Sequence, residues 1–174
     1  LIMPNLGVAE MRTHSLPPAW LGDPLFRILT PAAIVERLEA AYLARTQESL
    51  APAQRTYRIM QRNLARLNEA GATIGFGADS GAVPDYFHAY TTHRELQLMV
   101  EAGMTNGQAL TAVTATSAAF LRMTDHGTLD KGKAADFLVL DANPLTDISN
   151  TRKIARVYFR GEELDRAKMA QAWR

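Results

Sequence analysis

No cysteine occurs among the 174 residues, which excludes a disulfide framework, a thiolate metal site and a cysteine nucleophile. Net charge is almost absent too. Nineteen Lys and Arg stand against 18 Asp and Glu, giving +1, so there is no electrostatic footprint for nucleic acid or an acidic membrane surface. No apolar run approaches the roughly 18 residues that a membrane-spanning helix needs. There is no Gly-rich phosphate loop and no nucleophile elbow. Gly75-Phe76-Gly77 lacks a third glycine, and no helix pattern starts straight after it, so a dinucleotide fingerprint fails. None of His14, His88, His93 and His126 stands in a His-x-His or His-x-x-x-His pair, the spacings that mark metal ligands.

What is there reads as an ordinary globular chain, 47% hydrophobic and 21% charged, one or at most two domains long. It opens on the apolar run Leu1-Ile2-Met3-Pro4-Asn5-Leu6, read as a short buried strand that belongs to something longer. Residues 7–29 carry Pro17, Pro18 and Pro24 and read as a loop, a length more often functional than decorative. Thr30-Pro31 predicts a helix start, with Thr as N-cap and Pro at the first helical position. A second helix is expected from near Pro52, with Tyr57, Met60, Leu64 and Leu67 on one stripe and Gly71 as its stop. Arg55, Arg58, Arg62 and Arg66 on its other side read as a solvated face.

Residues 72–79 (ATIGFGAD) form a small-and-apolar run, the pattern of a strand buried on both faces of a parallel sheet. Two capping boxes follow, Thr92 to Glu95 and Thr105 to Gln108, each opening a helix. Strand, helices, strand, helices predicts two βα units over residues 1–122. Beyond Gly127 the period shortens. Gly127-Thr128-Leu129 and residues 136–140 read as strands, residues 154–160 as a third, and residues 166–173 as a short helical tail.

The best chemical candidate is Asp79, at the end of its expected strand, because reactive groups in parallel α/β folds gather at strand C-termini. Such an Asp can bind a divalent metal through one oxygen and take a proton from bound water with the other. The plain alternative is an Asp that caps the next turn. His88 and His93 follow closely enough to reach the mouth of the same pocket, although His93 and Glu95 also suit a merely structural role at a helix start. His126, beside Gly127 in a turn, reads as solvent-exposed.

Gly77-Ala78-Asp79-Ser80-Gly81, His93-Arg94-Glu95-Leu96 and Glu101-Ala102-Gly103-Met104-Thr105 resemble the closing part of the amidohydrolase superfamily. Ala109 to Thr114, Gly127-Thr128-Leu129, Gly132 to Phe137 and Asp141-Ala142-Asn143-Pro144-Leu145 continue the resemblance in order. The flavour is closest to the imidazolonepropionase-like group that includes Xaa-Pro dipeptidases. The resemblance implies an α/β fold: the last two βα units of a (β/α)8 TIM-like barrel plus C-terminal strands of a small β-sandwich, an incomplete fold. Residues 1–122 would be the partial barrel, and residues 123–174 the sandwich strands and tail.

Asp79 matches the family's strand-eight Asp, which binds the metal and serves as general base and acid. Residues 1–6 resemble strand seven, where Thr is usual at the position of Asn5. Substrate contacts would come from His93, His14 and Trp20, with Arg12 also on the long loop. The cofactor implied is a divalent metal, zinc, in the complete protein. Its other ligands, a His-x-His among them, do not occur in this chain.

The function implied is hydrolysis of a C–N bond in an amide, imide or dipeptide. Deamination of a cyclic substrate is an alternative chemistry. The partners implied are a small-molecule or dipeptide substrate and either the N-terminal part of the same enzyme or a second copy of the chain. Alone, the chain is expected to be inactive, to hold no catalytic metal tightly and to associate or aggregate. The competing reading is a non-catalytic subunit that acts by association. Localisation stays open. The lack of cysteine suits a cytoplasmic or a periplasmic setting, with the cytoplasm favoured.

Overall fold

A computed structural model describes residues 1–81 and 90–172. His88, one of the histidines considered above, lies outside the described residues, as do residues 173–174.

The two expected strands at residues 1–6 and 72–79 meet in the expected parallel sense, but in a single bridge between Ile2 and Ile74. Ile2 N–H donates to the Thr73 carbonyl at 3.0 Å, and Gly75 N–H donates to the Ile2 carbonyl at 2.8 Å. Sequence explains why the ladder stops. Pro4 has no N–H to offer it, and Asn5 turns into the left-handed region (φ 47°), sending the chain straight into helix α1 (Leu6–Glu10). The expected loop over residues 7–29 is therefore largely helical. After α1 come a 3-10 turn (Ala19–Gly22) and α2 (Pro24–Leu29).

Helix α3 spans Ala32–Leu43, with Pro31 rather than Thr30 at its cap position, because Pro31 keeps an extended backbone (ψ 138°). Helix α4 (Gln47–Glu69) begins earlier than Pro52 predicts. Thr46 and Ser49 close a reciprocal capping box, and Pro52 is carried inside the helix. The four arginines of α4 are exposed, as expected, while Leu64 on the opposite side is 3% exposed.

Helix α5 spans Tyr90–Glu101, so Thr92 to Glu95 lie within it and form no capping box. The box at Thr105 and Gln108 is present and opens α6 (Asn106–Thr111). A π turn (Ala112–Thr116) leads from α6 into α7 (Ser117–Phe120). The Ser117 hydroxyl donates to the Ala112 carbonyl at 2.7 Å, and its oxygen accepts the Phe76 N–H at 3.2 Å. That contact ties the residue 72–79 segment to the helix behind it.

Two apolar clusters result. The larger draws Leu6 of α1, Leu64 of α4, Ile74, Leu96, Leu98 and Met99 of α5, Ala109 of α6 and Ile148 together. The smaller packs Leu21, Phe26, Val35, Leu38 and Tyr42, with Trp20 and Ile34 against it.

The C-terminal part is an antiparallel sheet of β1 (Phe137–Leu140), β2 (Ile154–Phe159) and β3 (Glu162–Glu163), in that order. Phe137 faces Tyr158 in the ladder, and their rings stack at 4.5 Å. A 3-10 turn (Ile148–Arg152) joins β1 to β2, and α8 (Arg166–Ala172) forms the tail. The expected strand at Gly127 to Leu129 is not one. Gly127 turns back at φ 88° beneath the π turn, and Leu129 is left 77% exposed.

Candidate functional site

Asp79 stands where the residue 72–79 segment ends, exposed and in the left-handed region (φ 51°). Its neighbour Ser80 shares a 2.5 Å hydrogen bond with Thr91, two residues ahead of His93 on α5. Across the bridge, Asn5 ends the first segment, level with Gly77. Its Oδ1 is buried and has no hydrogen-bond partner among the described residues, and it lies 2.8 Å from where a side chain on Gly77 would begin. A β-carbon at residue 77 would crowd this oxygen, and the Asn5 side chain would have to shift.

His93 and Trp20 come to one junction, and His14 lies apart from it. His93 Nδ1 is 3.0 Å from the Thr151 hydroxyl, which itself donates to the Ile148 carbonyl at 2.8 Å. With its single proton committed there, the hydroxyl accepts, so Nδ1 is the protonated nitrogen of His93. Burial, helped by the nearby Arg152 cation, holds the His93 imidazole below the usual histidine range and keeps it neutral.

Trp20 packs edge-on against Phe26 at 5.2 Å and tilted against Tyr90 at 5.7 Å. The Arg152 guanidinium covers the Tyr90 ring at 5.1 Å and pairs with Asp23. Trp20 and His93 thus share one junction, where the segment after α1 meets α5 and the 3-10 turn before β2.

His14 lies elsewhere, with Nε2 2.7 Å from Glu10 Oε1 and its ring edge-on to Tyr42. Glu10 also takes Arg94 at 3.1 Å, and Arg94 reaches Glu101 at 2.8 Å. Burial alone would raise the Glu10 carboxyl, but the hydrogen bond from His14 and the charge of Arg94 together hold it below the usual range. His126 is not free in solvent: its ring lies between Asp125 (2.7 Å) and Asp136 (3.3 Å).

Glu95 is the residue whose role sequence reasoning misplaced. It does not cap α5. It is fully buried (0% exposed), and its two oxygens accept the backbone N–H groups of Leu6 at 2.8 Å and Gly7 at 2.7 Å. Burial pushes its carboxyl up to about 7, against the lowering effect of those two amides. A signal was legible: Glu95 stands four residues from both Thr91 and Met99, on the buried stripe of α5.

Among the described residues, no three His, Cys, Asp or Glu side chains gather closely enough to hold a metal ion. A catalytic zinc takes about three protein ligands, so Asp79 and its neighbours do not by themselves fit one. No helix among the described residues is long and apolar enough to cross a membrane.

The sequence profile of the amidohydrolase family matches residues 27–164. An imidazolonepropionase from Deinococcus radiodurans is 32% identical over 103 residues, covering 57% of this chain and 25% of that protein. Among solved structures, a Xaa-Pro dipeptidase with methionine bound in its active site superposes with a TM-score of 0.62 at 24% identity, a likeness of fold. It covers 93% of this chain and 34% of that one. A candidate prolidase from Bifidobacterium longum gives a TM-score of 0.62 at 28% identity, covering 94% of this chain and 37% of that one. The chain therefore spans a quarter to somewhat over a third of the length of these relatives.

Proposed function

The chain belongs to the amidohydrolase family, and from that premise we propose that it is the closing part of a hydrolase that cleaves a C–N bond, with Asp79 as its proton carrier. The observation that supports this most is Asp79 itself. It is an exposed carboxylate at the end of a segment paired in parallel with the Ile2 segment, inside the stretch the family profile matches. In the proposed reaction Asp79 takes a proton from the attacking water. The water oxygen bonds to the substrate carbonyl carbon, and Asp79 returns the proton to the leaving nitrogen as the C–N bond breaks.

A divalent metal would supply carbonyl polarisation, and the described residues offer it one carboxylate at this place, Asp79, so further ligands would have to come from elsewhere. Residues 1–122 would then correspond to the last two βα units of the barrel and residues 123–174 to sandwich strands and tail. The exposure of Leu1 (49%), Met3 (48%) and Leu138 (50%) supports a further covering surface, from the remainder of the enzyme or from a second copy. His93 and Trp20 belong in this reading to the wall that carries the substrate-facing loop.

The test is hydrolysis of a panel of dipeptides and N-acyl amides by the full-length protein and its Asp79→Asn variant. Loss of a proton carrier is expected to lower kcat by about 10²-fold or more, with KM little changed. Unchanged turnover removes Asp79 from the reaction.

A further inference from the structure

We propose that Glu95 is the positioning residue of the candidate site: from α5 it fixes the turn at Leu6 and Gly7, and so seats Asn5 against Gly77, two residues ahead of Asp79. The functional meaning rests on the Asp79 reading above; the geometry does not.

Asn5 occupies the N-cap place of α1 yet makes no cap with its side chain. Two of the amides left without an intrahelical partner at the start of α1 are taken instead by a carboxylate 88 and 89 residues further along the chain. A fully buried carboxylate is costly and persists only where it is paired. Here both oxygens are used, on adjacent amides whose dipoles favour negative charge. An apolar side chain at this place on the α5 stripe would fill the same space without holding the turn.

Asn5 depends on that hold. Its buried Oδ1 has no partner among the described residues, so this oxygen is placed by the backbone, and the next two residues of that backbone are the ones Glu95 grips. The oxygen sits 2.8 Å from where a Gly77 side chain would start, so a shift of the turn at Leu6 moves directly against the segment that ends at Asp79.

The charged groups bearing on Glu95 are Arg94 of the same helix and Glu10 of α1, with Tyr57 of α4 and Glu101 in the same network. Arg94 is occupied by Glu10 and Glu101 and makes no bond to Glu95. Protonation converts one Glu95 oxygen from acceptor to donor, which leaves one of the two amides unsatisfied. With burial holding the carboxyl near neutrality, the grip is released within an accessible pH range.

The experiment is NMR of the full chain, alone or within the complete protein, with ¹⁵N on Leu, Gly and Asn, titrated between about pH 8 and about pH 5. The Leu6 and Gly7 amide protons are expected downfield at the upper end, moving upfield with one midpoint near neutrality. The Asn5 side-chain amide and the Gly77 amide should follow with the same midpoint. Glu95→Gln should abolish this shared titration and weaken the Asn5–Gly77 contact seen as a nuclear Overhauser effect, and Glu95→Ala should remove that contact.

The proposal is overturned if the Leu6 and Gly7 amides keep their wild-type titration in the Gln variant. It is equally overturned if they titrate while Asn5 and Gly77 stay still. Should neither variant fold, the wild-type titration decides: four resonances with one midpoint support it, and four unrelated ones overturn it. Failure of the Asp79 reading would show separately, as unchanged turnover in Asp79→Asn with this titration intact.

Discussion

Replacing Gly127 with alanine presses on the helix that anchors the candidate site. A β-carbon at Gly127 would lie 2.7 Å from the Ala118 β-carbon and 3.0 Å from both the Ala115 α-carbon and the Thr114 carbonyl oxygen. Two of those three atoms are backbone of the π turn, which the Ser117 hydroxyl braces at Ala112, so they cannot swing aside. Gly127 also sits at φ 88°, which costs an L-residue about 1–2 kcal/mol, partly offset by the stiffer unfolded chain.

Gly132 provides the control, since it has φ 87° and nothing within 4 Å of the place a β-carbon would take. Gly132→Ala should therefore cost about 1 kcal/mol, the backbone strain alone. Gly127→Ala should add about 1–3 kcal/mol of overpacking, for a total of about 2–4 kcal/mol. At about 2–4 °C per kcal/mol for a chain of this size, Tm should fall by about 4–16 °C in the first variant and about 2–4 °C in the control. Urea unfolding followed by circular dichroism, with unchanged slopes, measures the difference. Losses that agree within about 0.5 kcal/mol would refute the claim that the π turn is immovable. A real difference would also show that the support behind Phe76, three residues before Asp79, is a rigid one.

Local chemistry carried much of this fold in the sequence. The capping box at Thr105 and Gln108, the stop at Gly71 and the arginine face of α4 each depend on a few adjacent residues, and each is where the pattern put it. The failures share a different cause. Glu95 satisfies the capping-box pattern with Thr92, but a pattern of four residues cannot register that α1 brings two unsatisfied amides to it from the other end of the chain. The strands at residues 1–6 and 72–79 were legible by composition, whereas their length depends on neighbours, and one bridge is what two segments interrupted by Pro4 and Asn5 support. Gly127 to Leu129 shows the same limit. Its alternation fits a strand, yet close packing under the π turn demands a glycine turn there. The place of Asp79 at the end of its segment was readable from the apolar run before it. The junction of Trp20, Tyr90, Arg152 and Asp23 was not, since it joins three distant segments through side chains that look unremarkable in the sequence.

That junction is testable by a double-mutant cycle on Asp23→Ala and Arg152→Ala. Because the Arg152 side chain is 35% exposed, the coupling should be modest, about 0.5–1 kcal/mol, and either variant should speed proteolysis between residues 12 and 23. Proteolysis at the wild-type rate in both variants would show that Trp20 packing alone holds the segment. The pH dependence of stability follows from Glu95. Its folded pKa of about 7 stands above its value of about 4.5 in the unfolded chain, so the folded state holds the proton more tightly. The contribution of this group is full below about pH 4.5 and is lost as pH rises through about 7, at a slope of up to about 1.4 kcal/mol per pH unit. Ionisation completes the grip on Leu6 and Gly7 locally while costing global stability, because the charge is created in a dry place. In Glu95→Gln this slope should vanish while those of Glu10 and the exposed carboxylates persist. Urea midpoints across that range that fall equally in both proteins would place the proton on another group and remove Glu95 from the account.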